Sequence, residues 1–143
     1  MGYFSYPGID LIDMAGQVLR QICSSVCPRY MDVTEDGEII CSTNNNRIAR
    51  VQVFSGTVDF DQSVPQILCP CGVAIAPAGS ILVADAPTTT LHLVSSLGVW
   101  TKQLWSVPSG RDQQGALYAI SMDMNVCVCI TRNGSVYLLD CVY

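Results

Sequence analysis

Eight cysteines and one histidine are the residues of this 143-residue chain with the widest chemical range. A zinc site needs four ligands converging on a tetrahedron, usually from paired Cys-x2-Cys or Cys/His spacings. The sequence has no Cys-x2-Cys pair and only His92. Cys69-x-Cys71 and Cys127-x-Cys129 are instead separated by one residue, which in a strand puts both thiols of a pair on the same face. Cys41 and Cys127 fall inside or beside apolar runs, so most of the cysteines read as small buried hydrophobes. Cys23 and Cys27 are the loop pair best placed for an incidental disulfide, but without a secretory signal the reduced state is the expectation.

His92 lies in the apolar run Leu91-His-Leu-Val94, where a side chain packed on a sheet face is expected rather than a general base. With the only histidine so placed, no Ser/His/Asp set can assemble. No cofactor or metal is expected, and the chain reads as a non-enzyme. The seven basic residues, Arg20, Arg29, Arg47, Arg50, Lys102, Arg111 and Arg132, are scattered over a chain of net charge −5. They form no stripe that could neutralise several phosphates, so RNA is disfavoured as a partner.

A composition of 50% hydrophobic and 13% charged residues suits one dense domain with a substantial core. No apolar run approaches the roughly 18–20 residues of a membrane helix, and Met1-Gly-Tyr-Phe-Ser-Tyr-Pro-Gly8 has no basic segment leading into an apolar one. A soluble, cytoplasmic protein without a membrane partner is expected. Gly2 invites a myristoylation reading, but Tyr6 stands where that motif wants Ser or Thr.

The elements that must position these residues are set by a repeat. Pro28-Arg-Tyr-Met-Asp-Val33-Thr-Glu-Asp-Gly37-Glu-Ile39-Ile-Cys41 lies over Pro70-Cys-Gly-Val-Ala-Ile75-Ala-Pro-Ala-Gly79-Ser-Ile81-Leu-Val83 at an offset of 42 residues. Ile48-Ala-Arg-Val51 and Leu91-His-Leu-Val94 follow, then Gly56 and Gly98. A third copy lies 45 residues on, with Ile120 matching Ile75, Val126 and Val128 matching Ile81 and Val83, and Val136-Tyr-Leu138 matching Leu91-His-Leu93. A partial copy opens the chain at Ile9-Asp-Leu11, Gly16 and Val18–Ile22. Short alternating apolar runs with a turn glycine at this period predict an all-β fold, a partial β-propeller of four-stranded antiparallel blades.

The expected divisions are a partial blade over 1–22, blades over 23–64 and 65–108, and a partial blade over 109–143. In the best copy the strands should be Gly72–Ala76, Ser80–Ala84, Thr90–Ser95 and Trp100–Trp105, with Val73, Ile75, Ile81 and Val83 facing one inter-blade layer. Glu35-Asp36-Gly37 and Pro77-Ala-Gly79 read as hairpin turns, the Asp-Gly pair supplying the positive φ of a tight two-residue turn, and Asn133-Gly134 as a third. Only Gln66–Cys69 and Arg111–Leu117 leave room for a short helical turn. Trp100, Trp105, Tyr118 and Tyr137 read as blade-packing aromatics rather than a stacking platform. About three and a half copies give roughly half a ring, so further blades or self-association are expected to cover the open sides.

The run Pro70-Cys-Gly-Val-Ala-Ile-Ala-Pro-Ala-Gly-Ser-Ile-Leu-Val-Ala-Asp85, with its polar loop and Leu91-His-Leu-Val94, resembles the NHL repeat. Asp85 keeps that family's aspartate, whereas the preceding copy has Thr43. The resemblance implies a propeller like the C-terminal part of tripartite-motif (TRIM-NHL) ubiquitin ligases, which recruits targets that are proteins or RNA hairpins. The Cys-x2-Cys pairs and heptads that would mark RING, B-box and coiled-coil modules do not occur here, so ligase activity would lie elsewhere. A protein-interaction scaffold is therefore expected, with Asn44, Asn45, Asn46, Arg47, Thr88, Thr89, Thr90 and Arg132 as loop residues placed for binding. Related propellers that act as lactonases or lyases hold a divalent metal in the central channel, for which only Asp32, Asp123 and Asn125 lie near suitable positions.

Overall fold

The computed structural model describes residues 8–23, 25–108, 116–123 and 125–140, and these form thirteen strands with no helix among them. β1 (Ile9–Ile12) and β2 (Val18–Cys23) make a hairpin. β3 (Pro28–Val33), β4 (Glu38–Thr43), β5 (Ile48–Gln52) and β6 (Val58–Gln62) form a complete four-stranded sheet. β7 (Pro70–Ile75), β8 (Ile81–Asp85), β9 (Thr90–Val94) and β10 (Trp100–Ser106) form a second, and β11 (Leu117–Asp123), β12 (Val126–Thr131) and β13 (Val136–Asp140) a sheet of three. Each sheet is an antiparallel meander in chain order, as a repeat of hairpins dictates. The strands expected from residue 65 to 108 are all present, with ends shifted by at most two residues. The turn expected over Gln66–Cys69 falls earlier, at Val64–Ile67, where Ile67 N donates to Val64 O at 2.9 Å. The other expected turn, over 111–117, lies largely outside the described residues.

Successive sheets pack face to face, and strand alternation sorts side chains into the layers between them. Ile9, Ile22, Cys23, Ile39, Cys41, Ala49 and Val51 fill the first layer. Ile40, Ile48, Val73, Ile81, Val83 and Val94 fill the second, with Ile75 packed against it, as the alternation predicts. Leu82, Ala84, Leu91, Leu93, Leu117, Cys127 and Cys129 fill the third. Burying a leucine or isoleucine this completely stabilises by about 1.5–3 kcal/mol, so the three layers carry most of the fold.

The third layer corrects the register of the last copy. Ile81 and Val83 face backward in β8, and the residues doing so in β12 are Cys127 and Cys129, not Val126 and Val128. Asp85 pairs with Pro70 and Thr131 with Leu117, so the second strand repeats at 46 residues rather than 45. Val-Cys-Val-Cys-Ile is apolar at every position, and its periodicity cannot choose a face. The turns also differ from expectation. Gly37 N donates to Thr34 O at 3.1 Å and Gly37 alone has positive φ, 80°. Asp36 does not, so the connection is a type I turn closed by a left-handed glycine rather than a two-residue turn.

The innermost strands β3, β7 and β11 run side by side. At Gly72 a Cβ would lie 2.7 Å from Ile120 N and 2.9 Å from Tyr118 O, so glycine sets the approach of β7 to β11. Asp32 ties the other pair of inner strands, its Oδ2 accepting Ile75 N at 3.0 Å. Two apolar surfaces stay uncovered among the described residues, one a whole sheet face and the other the inner-strand part of a face. Val136 and Leu138, on the forward side of the last sheet, are 59% and 70% exposed. Met31 and Val33, on β3, are each 53% exposed, because the hairpin before them supplies only outer strands.

Candidate interaction surface and the buried polar relay

The loops between second and third strands repeat at one end of the three larger sheets. Asn44 N donates to Cys27 O at 3.1 Å, Ala86 N to Cys69 O at 3.3 Å and Arg132 N to Ala116 O at 2.8 Å. Each loop is thereby tied to the residue just before its own innermost strand. Each also contains one residue in the left-handed region, Asn46 (φ 61°), Thr89 (φ 54°) and Gly134 (φ 92°). Two share a side-chain pattern. Thr43 Oγ1 donates to Asn45 Oδ1 at 2.6 Å and accepts Arg47 N at 3.1 Å, and Thr131 Oγ1 does the same with Asn133 Oδ1 and Ser135 N.

The eight loop residues expected to bind a partner divide into two groups. Asn44, Asn45, Asn46, Thr88 and Arg132 are exposed, and a surface cleft of about 290 Å³ runs beside Cys27, Thr43, Asn44, Asn45 and Asp61. Arg47 is half-buried and committed to Asp61, with Nε donating to Oδ1 at 2.7 Å and Nη2 to the backbone oxygen. Thr89 is half-buried, its hydroxyl donating to Thr88 O at 2.6 Å, and Thr90, 8% exposed, opens β9 and so belongs to the sheet.

The second complete blade replaces the Thr-x-Asn pattern with a relay that no spacing rule indicated. The indole N–H of Trp100 donates to His92 Nδ1 at 3.0 Å. An indole N–H can only donate, so Nδ1 accepts and neutral His92 carries its proton on Nε2. Nε2–H then donates to Thr90 Oγ1 at 2.8 Å, Thr90 to Thr88 Oγ1 at 2.6 Å, and Thr88 to Asp85 Oδ2 at 2.8 Å. Asp85, fully buried, also accepts Cys69 N at 2.9 Å and Leu68 N at 3.2 Å. The chain of bonds thus runs from the outermost strand, across the blade, to the segment entering its innermost strand. Burial pushes His92 below the usual histidine range, opposed by the charge of Asp85. Protonation would set a second N–H against the Trp100 donor. The signal was present in the sequence as polar Thr90 and His92 on the buried face shared with Val94.

The remaining chemistry-bearing residues are dispersed. Cys41, Cys127 and Cys129 are fully buried, and burial pushes the Cys41 thiol up to about 12. Cys23 and Cys27 are free thiols, the first paired with Ser25 and the second accepting Asn44 Nδ2 at 2.9 Å. No group of three or more metal ligands converges among the described residues. Asp32 is spent on backbone N–H groups, and Asp123 and Asn125 are exposed. Trp105 packs on Tyr137 with ring centroids 5.1 Å apart, joining the last two sheets. No helix of the described residues is long and apolar enough to cross a membrane.

Meandering sheets stacked face to face, with inner strands side by side and loops repeated at one end, define blades of a β-propeller. Solved structures agree on the fold. The chain is similar to virginiamycin B lyase from Staphylococcus aureus (14% identity, TM-score 0.63), covering 94% of this chain and 49% of that one. It is similar to the WD40 β-propeller domain of Doa1 (16% identity, TM-score 0.65), covering 86% and 40%. It is also similar to the N-terminal part of BBS1 solved with ARL6 (12% identity, TM-score 0.68), covering 94% and 44%. The chain therefore spans about half or less of each of these three structures. No protein-family model and no curated relative matches the sequence.

Proposed function

We propose that the chain is part of a non-catalytic propeller scaffold that recruits a protein partner through the loops between second and third strands. The observation that carries this is the division of labour among polar side chains. Those with chemical potential, Asp85 and His92 above all, have their hydrogen-bonding atoms engaged inside one blade. Asn46 and Arg132 stand exposed at matching loops on a rigid frame, with no side-chain hydrogen bond among the described residues. BBS1 in its complex with ARL6 supports protein recruitment by a fold of this kind. The NHL-like residues of the second complete blade favour a TRIM-like role, recruiting a target for ubiquitination in a reducing, cytoplasmic setting. Further blades or a second copy would cover Val136 and Leu138.

The lyase reading has less support. The catalytically inactive form of the staphylococcal lyase, solved with quinupristin, carries a histidine-to-alanine substitution. Here the sole histidine is 4% exposed with both ring nitrogens occupied. An RNA partner is disfavoured by the net charge of −5.

The test is affinity capture from cell extract with the wild-type chain and an N46A/R132A variant, neither change touching the relay. Saturable capture of a protein that the variant loses while keeping its β-sheet circular dichroism is the expected result. Equal capture by both, or salt-sensitive retention of RNA alone, would overturn the reading.

A further inference from the structure

The first residues of the two complete blades correspond, Cys27-Pro28-Arg29 to Cys69-Pro70-Cys71, and the structure turns this correspondence into a contact. Arg29 Nη1 donates to Cys69 Sγ at 3.3 Å and lies 3.9 Å from Cys71 Sγ. Its Nη2 donates to Asn44 O at 3.3 Å. The guanidinium is thus anchored on one blade and presented to two thiols of the next. Cys69 is half-buried and within reach of solvent, whereas Cys71 is 7% exposed. Cys27, the counterpart of Cys69, accepts from Asn44 Nδ2 and is also half-buried, but Arg29 stands where a second thiol would be.

We propose that Cys69 and Cys71 form a peroxide-sensitive dithiol in which Cys69 is oxidised first and Cys71 resolves it. Redox-responsive cysteines sit in electropositive, accessible surroundings beside a second thiol, and of the described cysteines Cys69 alone has all three. Cys69 gives its proton to solvent, and its sulfur attacks one oxygen of hydrogen peroxide. The O–O bond breaks, the departing hydroxide takes up a proton as water, and the sulfur becomes a sulfenic acid. Cys71 Sγ then attacks that sulfur. The S–S bond forms, the S–O bond breaks, and hydroxide leaves with the Cys71 proton as a second water. Two thiols and one peroxide give one disulfide and two waters.

The covalent geometry allows the bridge. Two residues of extended chain span about 6.6 Å, inside the Cα separation that disulfides tolerate. The chain is also irregular here, with a register shift between Pro70 and Val73. Burial raises the Cys71 thiol above its usual range, the neighbouring Cys69 adding to this and the Arg29 hydrogen bond opposing it. Cys71 therefore waits as a thiol while Cys69 reacts. Arg29 is charged at any physiological pH, its bond to Cys69 raising it further, so it can balance negative charge at that sulfur.

The full chain treated with one equivalent of hydrogen peroxide should lose two hydrogens, mapped by peptide mass spectrometry to the segment holding Cys69 and Cys71 and restored by dithiothreitol. C71S should instead accumulate a dimedone-trappable sulfenic acid at Cys69. R29Q should slow the first step about tenfold, with R29K close to wild type. Oxidation of Cys27 as fast as Cys69, a disulfide joining any other pair first, or an unchanged rate in folded R29Q would overturn the proposal. If R29Q loses its sheet signal, the ranking of Cys69 over Cys27 in the wild-type chain decides alone.

Discussion

The two complete blades share a backbone and are fastened by different chemistry. In the blade of β7–β10 the polar groups form a relay running through the sheet from Trp100 to Asp85. In the blade of β3–β6 the fasteners are short Thr43–Asn45 bonds and ion pairs, Arg47 with Asp61 and Arg50 with Glu38. Both members of the Arg47 pair keep about a third of their side-chain surface in solvent. One blade thus ties its loop through a buried carboxylate that is costly to remove, whereas the Arg47–Asp61 pair of its neighbour is partly screened and nearly dispensable. Equal folds do not imply equal sensitivity to substitution.

Removing the two equivalent loop anchors should expose this difference most sharply. Asp85→Ala leaves two backbone N–H groups and the Thr88 hydroxyl without the buried carboxylate that accepts them, and should cost about 3 kcal/mol in urea unfolding. Thr43→Ala, at the same position one blade earlier, should cost only about 1 kcal/mol. Equal losses would dissolve the distinction.

The left-handed loop residue gives a smaller effect of opposite sign. Thr89 is β-branched at φ 54°, whereas Asn46 occupies the equivalent conformation in the other blade. Thr89→Asn should therefore stabilise by about 0.5–1 kcal/mol, measured the same way. The smallest effect belongs to the more exposed ion pair, Arg47 with Asp61. Arg47→Ala should cost less than about 1 kcal/mol, and the difference from wild type should shrink further in molar salt.

The blades differ just as much in how far the sequence disclosed them. Strand positions were legible because alternation and turn glycines repeat, and the layer of Val73, Ile75, Ile81 and Val83 follows from parity alone. The register of β12 was not, since cysteine and valine alternate there and both are apolar. Thr90 stands at the boundary of the expected loop and the expected strand Thr90–Ser95, and its parity with His92 and Val94 puts it on a buried face. Arg29 and Cys69 are 40 residues apart in different blades, and only the packing of one blade on the next brings them together. Exposed loop residues such as Asn46 and Arg132 were legible as loops because they interrupt the pattern.

The central claim is that the one histidine holds a blade together through both ring nitrogens. A two-dimensional 1H–15N spectrum of the imidazole, followed through a pH titration, tests it directly. The account predicts a neutral ring protonated on Nε2, titrating below the free value of about 6.5. The unfolded chain then binds that proton more readily than the folded one. The contribution of His92 to stability is accordingly complete above about pH 6.5 and declines as the pH falls below it. A ring protonated on Nδ1, or one titrating at or above 6.5 in the folded protein, would contradict the account.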